Sequence, residues 1–138
     1  MLASAELFAT TALIATMSAV VTLALGYPVG LWLASLRRGR KLLTSVLLMP
    51  FLLPAFLIGL AFRPLFGPWL EDTRVGIVAV VCAHALMNAG FIAVVTAASL
   101  VPRDQVEAAA LDGASPSQTR RFIELPQQVP ALSAAALL

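Results

Sequence analysis

Two polar side chains stand out because they lie inside an apolar run, where burying a polar group is costly. His84 and Asn88 are four residues apart in the run 75–101, which has no Asp, Glu, Lys or Arg, so on a helix they share one face. Polar groups within such runs usually face other parts of the protein. They could hydrogen-bond between helices, line a substrate path, or take part in a metal or catalytic site. The run holds no second histidine and no carboxylate, which argues against the metal and catalytic roles.

A second feature is the pair of prolines, Pro50 and Pro54, in the uncharged run 42–62. Each proline removes a backbone hydrogen bond and frees a carbonyl. In lipid that carbonyl needs a partner from protein or water. Because residues four apart share a helix face, this face is predicted to turn inward. It could line a pathway or pack against a neighbouring helix, and both interpretations stay open.

The third feature is the polar stretch 107–126, EAAALDGASPSQTRRFIELP, between apolar runs. Such a stretch is expected to lie in water at a membrane surface. Glu107 offers a charge that an arginine of another protein could bind with two hydrogen bonds. Ala108 and Ala109 are small enough to let another backbone come close. The stretch is therefore interpreted as a docking surface for a soluble partner, with an amphipathic loop on the lipid headgroups as the alternative.

Capping residues predict that this stretch forms two short helices joined by a turn. Asp104 is predicted to cap the first helix, with Glu107 three residues later, and Gly113 to end it in the left-handed conformation. Ser115 is predicted to cap the second helix, which Pro126 ends.

Composition places these features in a membrane protein. Of 138 residues, 60% are hydrophobic and 12% charged, against about 25% charged in soluble domains. Uncharged runs at 7–36, 42–62 and 75–101 are long enough to cross a bilayer. They predict an all-α, polytopic membrane helix bundle with three complete spans. A fourth span starts at about residue 127, and its shortness predicts that the sequence is a fragment of a longer protein.

Other segments refine this picture. Gly26, Pro28 and Gly30 predict a bend in the first span, as a packing kink or a hinge. Segment 63–74 is predicted to be a loop with Trp69 at the membrane interface. Cys82, the only cysteine, excludes an internal disulfide and is read as a small packing residue. No basic patch is interleaved with aromatic residues, which excludes nucleic acid as a partner.

Orientation follows from the positive charges. Segments 37–41 and 103–124 hold seven of the nine Lys and Arg residues, and segment 63–74 holds two. The positive-inside rule then puts loops 37–41 and 102–126 in the cytoplasm and the N-terminus outside. The cluster at 37–41 could instead bind a partner or a lipid headgroup.

The spacing within the polar stretch resembles the cytoplasmic signature of permease subunits in binding-protein-dependent ABC importers, the EAA-loop family. That signature reads EAA, three residues, G, nine residues, I, one residue, LP. The matching residues here are Glu107, Ala108, Ala109, Gly113, Ile123, Leu125 and Pro126. The order of spans and loops is also similar, over essentially the whole chain.

The resemblance implies a domain, residues 1–138, that forms part of a permease in a bacterial or archaeal cytoplasmic membrane. It implies that loop 102–126 is a coupling helix-turn-helix that binds a separate cytoplasmic ABC ATPase dimer. ATP would be used there, and no cofactor or metal would be bound by this chain, which lacks a phosphate-binding loop. A second permease subunit or domain and an extracytoplasmic solute-binding protein that chooses the substrate are also implied.

The resemblance assigns roles to three sets of residues. ATPase docking is assigned to Glu107, Ala108, Ala109, Leu111, Asp112, Gly113 and Ala114. Anchoring of the loop to the membrane core is assigned to Ile123, Leu125 and Pro126. Pathway lining is the hypothesis for Pro50, Pro54, His84 and Asn88.

Three other classes compete with this interpretation. A membrane enzyme needs convergent catalytic residues, and the spans hold only His84, Asn88 and scattered hydroxyls. A small self-sufficient proton-coupled transporter needs a carboxylate within the membrane, and Glu6 is too near the terminus. A non-transporting membrane scaffold would bind no ATPase.

Overall fold

The computed structural model describes residues 2–69 and 72–137, in which every regular element is helical. The helices in chain order are α1 (Leu2–Ser35), α2 (Arg40–Leu52), α3 (Ala55–Phe66), α4 (Thr73–Ala98), α5 (Arg103–Leu111), α6 (Pro116–Thr119) and α7 (Leu125–Ala136). A 3-10 turn (Gly67–Trp69) follows α3, and a π-helical turn (Arg120–Glu124) joins α6 to α7. Two of these helices, α1 and α4, are each long and apolar enough to cross a membrane.

Helix α4 lies at the centre of the bundle, with α1 packed along its length. Ile92, Ala93 and Thr96 are fully buried on α4. They meet the glycines of α1: a Cβ on Gly26 would lie 2.7 Å from the Ile92 side chain, and one on Gly30 would overlap Thr96. Small residues at membrane helix interfaces permit this close approach of backbones. We call the contact of α4 with α1 and α2 the α4 seam.

The seam gives Gly26 and Gly30 a function that differs from the predicted kink or hinge. Helix α1 runs unbroken through Pro28. The missing side chains of the two glycines serve contact with α4, so the sequence pattern of small residues four apart is a packing signal here.

The predicted span 42–62 is not one continuous helix. It is divided between α2 and α3, whose axes are bent by 85° at the break. Leu53 is extended, with φ −76° and ψ 141°, because the ring of Pro54 disfavours helical backbone in the preceding residue. Pro50, by contrast, stays inside α2. The three expected spans are therefore two long helices and one bent pair.

Helix α2 is held on α4 by a backbone contact, a ring contact and a charged contact. A Cβ on Gly90 would overlap the carbonyl of Leu47, so only glycine lets the two helices come this close. The rings of Phe51 and Phe91 stack with centroids 4.6 Å apart. The third contact lies at the far end of α4 and comes from Arg40, whose Nη2 donates to a carbonyl of α4.

Segment 63–74 was predicted to be a loop, but part of it is helical. Helix α3 continues to Phe66, with Pro64 inside it, and a 3-10 turn follows. Asp72 then caps α4 by accepting a hydrogen bond from the backbone N–H of Arg74, at 2.8 Å. Residues 70 and 71 of this segment lie outside the described residues, and so does the predicted interfacial role of the Trp69 side chain.

Candidate functional site

The polar segment between α4 and α7, residues 102–126, is a bent surface element that we call the elbow. Its first helix, α5, begins at Arg103 and follows Pro102, which has an extended ψ of 142°. Asp104 therefore lies in the first turn and makes no side-chain cap, so the predicted cap at Asp104 is wrong. Its negative charge near the helix N-terminus is still favourable to the helix dipole.

The end of α5 is fixed by a left-handed glycine, as predicted. Gly113 has φ +86°. Its N–H donates to the carbonyl of Ala110 at 3.1 Å, and the N–H of Ala114 donates to that of Ala109 at 2.9 Å. This pair of bonds is the Schellman motif, which satisfies carbonyls that the helix end would leave free. The turn is thus determined by its own backbone.

The second arm of the elbow starts with the predicted capping box. The Ser115 hydroxyl accepts from the N–H of Gln118 at 3.3 Å, and the Gln118 side chain accepts from the N–H of Ser115 at 2.8 Å. Pro116 occupies the first helical position, where its missing N–H costs nothing. Both ends of the turn are therefore held by local hydrogen bonds.

Pro126 does not end the second arm, which corrects the prediction. The chain stays helical from Pro116 through the π-helical turn into α7. The ring of a proline clashes with the carbonyl four residues earlier in a regular α-helix, and the wider π turn at Arg120–Glu124 lies where that clash would fall. The elbow therefore continues directly into the bundle.

The predicted anchoring residues are only partly covered. Ile123 is half-buried, whereas Leu125 and Pro126 are exposed. The buried residues nearby are polar: Thr119, and Gln128 with only 1% of its surface exposed. The sequence analysis missed these two residues, because a polar residue in an amphipathic helix is expected to lie at the surface.

Most of the predicted docking residues are exposed, with two exceptions, Ala109 and the half-buried Ala114. Glu107, Ala108 and Asp112 are exposed, and Leu111 is 89% exposed. Ala109 is buried within the chain, so Ala108 alone of the two alanines is open to a partner. This face therefore offers one apolar side chain, Leu111, between the carboxylates of Glu107 and Asp112.

The turn itself carries a shallow notch between α5 and the second arm. Its walls include Asp112, Gly113, Ala114, Gln118 and Phe122. The Arg121 guanidinium lies 5.6 Å from the centre of the exposed Phe122 ring, which places a cation beside the notch. The elbow thus offers a negative face on α5 and a positive, aromatic edge on the second arm.

A second candidate region lies on α4 around His84, which is exposed in this structure. Its Nδ1 is 3.3 Å from the hydroxyl of Ser18 on α1. Asn88 donates to the backbone carbonyl of His84, at 3.0 Å, so its amide bonds within α4. Together with Thr22, these side chains line a cavity of about 220 Å³ between α1, α4 and the end of α7. A cavity of this size and polarity has room for several waters or a small polar solute.

Ser18 and Thr22 are site residues that sequence reasoning missed. Both are buried although both are polar. They are four residues apart in the uncharged run 7–36, so the spacing rule that singled out His84 and Asn88 would have found them.

The break between α2 and α3 opens a further cavity on the other side of His84. Its walls include Phe51, Ala55 and Met87, together with His84 and Asn88. The two polar residues therefore lie between two cavities.

The two prolines lie apart from both cavities. Among residues 2–69 and 72–137, neither Pro50 nor Pro54 lines either one. Pro54 creates the second cavity by breaking the helix, and Pro50 borders a separate apolar groove with Cys82 and Leu86. Cys82 is itself exposed.

The chemistry available in the bundle is hydrogen bonding. In the part of the chain that the structure describes, no three His, Cys, Asp or Glu side chains come together. Hydroxyl, amide and imidazole groups can donate hydrogen bonds to a passing solute and can accept hydrogen bonds from it.

Comparison with known proteins gave one family. The family model described as "Binding-protein-dependent transport system inner membrane component" matches residues 26–138. A search of the curated proteins found no match.

Proposed function

Because this chain belongs to the family of binding-protein-dependent transport system inner membrane components, we propose that it is the membrane-spanning permease subunit of an ABC importer. In this proposal the chain forms part of the translocation pathway, and a separate cytoplasmic ATPase dimer uses the ATP. A second permease subunit or domain completes the pathway, and an extracytoplasmic solute-binding protein delivers the substrate.

The observation that carries the coupling role is the construction of the elbow. Glu107 and Leu111 lie on an exposed face of α5, and the turn behind them is fixed by the Schellman motif and the capping box. The second arm continues into α7 without interruption. A force applied to α5 would therefore move the bundle rather than bend the elbow.

Docking in this proposal uses the face formed by Glu107, Ala108, Leu111 and Asp112, with Gly113 and Ala114 forming the turn. Glu107 pairs with a basic residue of the ATPase, Ala108 allows close approach, and Leu111 enters an apolar cleft. Ile123, Leu125 and Pro126 connect the second arm to the membrane core.

The proposed orientation puts the elbow and segment 37–41 in the cytoplasm, with the N-terminus outside. Seven of the nine Lys and Arg residues lie in these two segments, and this distribution of positive charge supports the orientation. It is consistent with an inner-membrane family.

The proposed pathway passes His84 and Asn88. They lie between two cavities, and Ser18 and Thr22 add hydroxyls on the α1 side. Pro54 contributes by breaking the helix beside this route. Hydrogen-bonding groups of this kind replace part of a solute's hydration while binding it weakly enough for release.

The docking role is tested by Glu107→Lys in the assembled transporter. If Glu107 meets a basic residue, reversal of its charge places like charges together at a cost of several kcal/mol. Substrate uptake should fall roughly tenfold or more, and less ATPase should co-purify. The matched control is Glu6→Lys, the same reversal on an exposed carboxylate near the start of α1. Normal uptake with normal ATPase co-purification in Glu107→Lys would refute the docking role.

A further inference from the structure

We propose that the turn between α1 and α2 binds the headgroup of an anionic phospholipid through Arg37, Arg38 and Lys41. This site is separate from the ATPase surface and from the pathway. The inference uses the membrane placement of the chain but not the coupling role of the elbow.

The backbone gathers the positive charges at one place. Helix α1 ends at Ser35 and α2 begins at Arg40, so the chain reverses within four residues. Gly39 makes this possible with φ +77°, a conformation open mainly to glycine. Four cations consequently lie within five residues, and all of them are exposed.

One of the four already has a partner and fixes the turn. The Nη2 of Arg40 donates to the backbone carbonyl of Ala97 at 3.2 Å, in a partly buried contact. This carbonyl belongs to the last turn of α4, where carbonyls lack helical partners and a positive charge is favourable. This hydrogen bond attaches the turn to α4. The backbone that carries the other three cations is therefore held in place.

The other three cations have no such partner. Within residues 2–69 and 72–137, the side chains of Arg37, Arg38 and Lys41 make no ion pair or hydrogen bond; Lys41 is bonded only through its backbone carbonyl, which accepts from the Ser45 hydroxyl. Three unpaired positive charges at the end of membrane-spanning helices attract anionic headgroups. Arginine suits a phosphate especially well, because its planar group can donate two parallel hydrogen bonds.

The surroundings of the cations fit a lipid better than a soluble anion. Trp32, less than two turns earlier on α1, is 53% exposed, and Leu42, directly after Lys41, is 71% exposed. Val46 continues this apolar stripe along α2. An anionic phospholipid matches both the cations and the apolar stripe, because its phosphate can bind the cations while its acyl chains cover the stripe. Tryptophan is itself enriched at this depth of the membrane.

Trp32 supplies a reporter for the test. The sequence has two tryptophans, so in the Trp69→Phe background the transfer that is lost when Trp32 is also replaced by Phe is the signal from Trp32. Energy transfer is measured from Trp32 to dansyl-labelled phosphatidylglycerol or phosphatidylcholine, in nanodiscs that hold the assembled transporter. The matched control, Trp32→Phe, leaves Trp69 within segment 63–74, whose two basic and two acidic residues balance.

We expect stronger transfer to phosphatidylglycerol than to phosphatidylcholine from Trp32, and no such preference from Trp69. Arg37→Gln, Arg38→Gln and Lys41→Gln should each weaken the preference by up to about fivefold, and Arg37→Lys should keep most of it. High salt should abolish the preference in the unmutated turn. The measurement at high salt is made on protein that is already inserted in the nanodisc. It therefore reports headgroup binding and not an effect of charge on membrane insertion.

Equal transfer to the two lipids from Trp32 would overturn the proposal, as would a preference that salt does not reduce. The outcome is independent of docking, since Glu107→Lys should leave the lipid preference unchanged.

Discussion

The α4 seam and the elbow both depend on glycine, but for opposite reasons. In the seam, Gly90 has ordinary helical backbone, and a Cβ there would overlap the carbonyl of Leu47. In the elbow, Gly113 has nothing within 4 Å of a Cβ position, but its φ is +86°. Glycine is therefore required in the seam by what packs against it and in the elbow by the conformation of its own backbone. One region is stabilised by distant parts of the chain, and the other by its immediate neighbours.

The largest effect should come from filling the seam. Gly90→Ala forces α2 away from α4, and overpacking of this kind costs about 1–3 kcal/mol or more. The thermal midpoint of the purified transporter should fall clearly. Gly76→Ala is the matched control on the same helix, because its Cβ would meet nothing within 4 Å and alanine favours helix over glycine. A fall of the same size in both variants would contradict the close contact in the seam.

A smaller and local effect should come from the turn of the elbow. Gly113→Val puts a branched side chain in the left-handed region at a cost of ~1–2 kcal/mol. We expect faster amide hydrogen exchange in α5 and weaker ATPase binding, with little change in the thermal midpoint of the bundle. Gly113→Asn should be milder, since asparagine tolerates this conformation. If valine and asparagine behaved alike at this position, the left-handed turn would not be what requires glycine.

The smallest effect should come from the capping box. Ser115→Ala removes the hydroxyl that accepts from Gln118 N–H and should cost about 1 kcal/mol. Amide hydrogen exchange at residues 117–119 should rise. Ser117→Ala is the control, because its hydroxyl contacts only the Ser115 hydroxyl, at 3.0 Å. Equal exchange in the two variants would show that the box adds nothing to the elbow.

The elbow was largely predictable because its determinants are local. Gly113 and the Ser115 box act through hydrogen bonds that span three to five residues, and residue types specify such bonds directly. The start of α5 was mispredicted by two residues, since Pro102 takes the cap position that Asp104 was expected to fill.

Prolines were the least predictable residues, because the sequence alone does not say how each will be accommodated. Pro28 and Pro50 lie within continuous helices, whereas Pro54 breaks one and produces an 85° bend. Pro126 is accommodated by a π-helical turn. Each outcome depends on which neighbours can supply hydrogen bonds and space, and that is a tertiary property.

The sequence by itself determined the membrane class, the long apolar helices and the capped turn of the elbow. Runs of hydrophobic residues and caps act over a few residues, so they need no knowledge of the rest of the chain. Only the tertiary structure decided that Gly26 and Gly30 face α4, that Arg40 reaches Ala97, and that Ser18 meets His84. Those contacts join residues far apart in sequence, and their free energy exists only once the helices are packed.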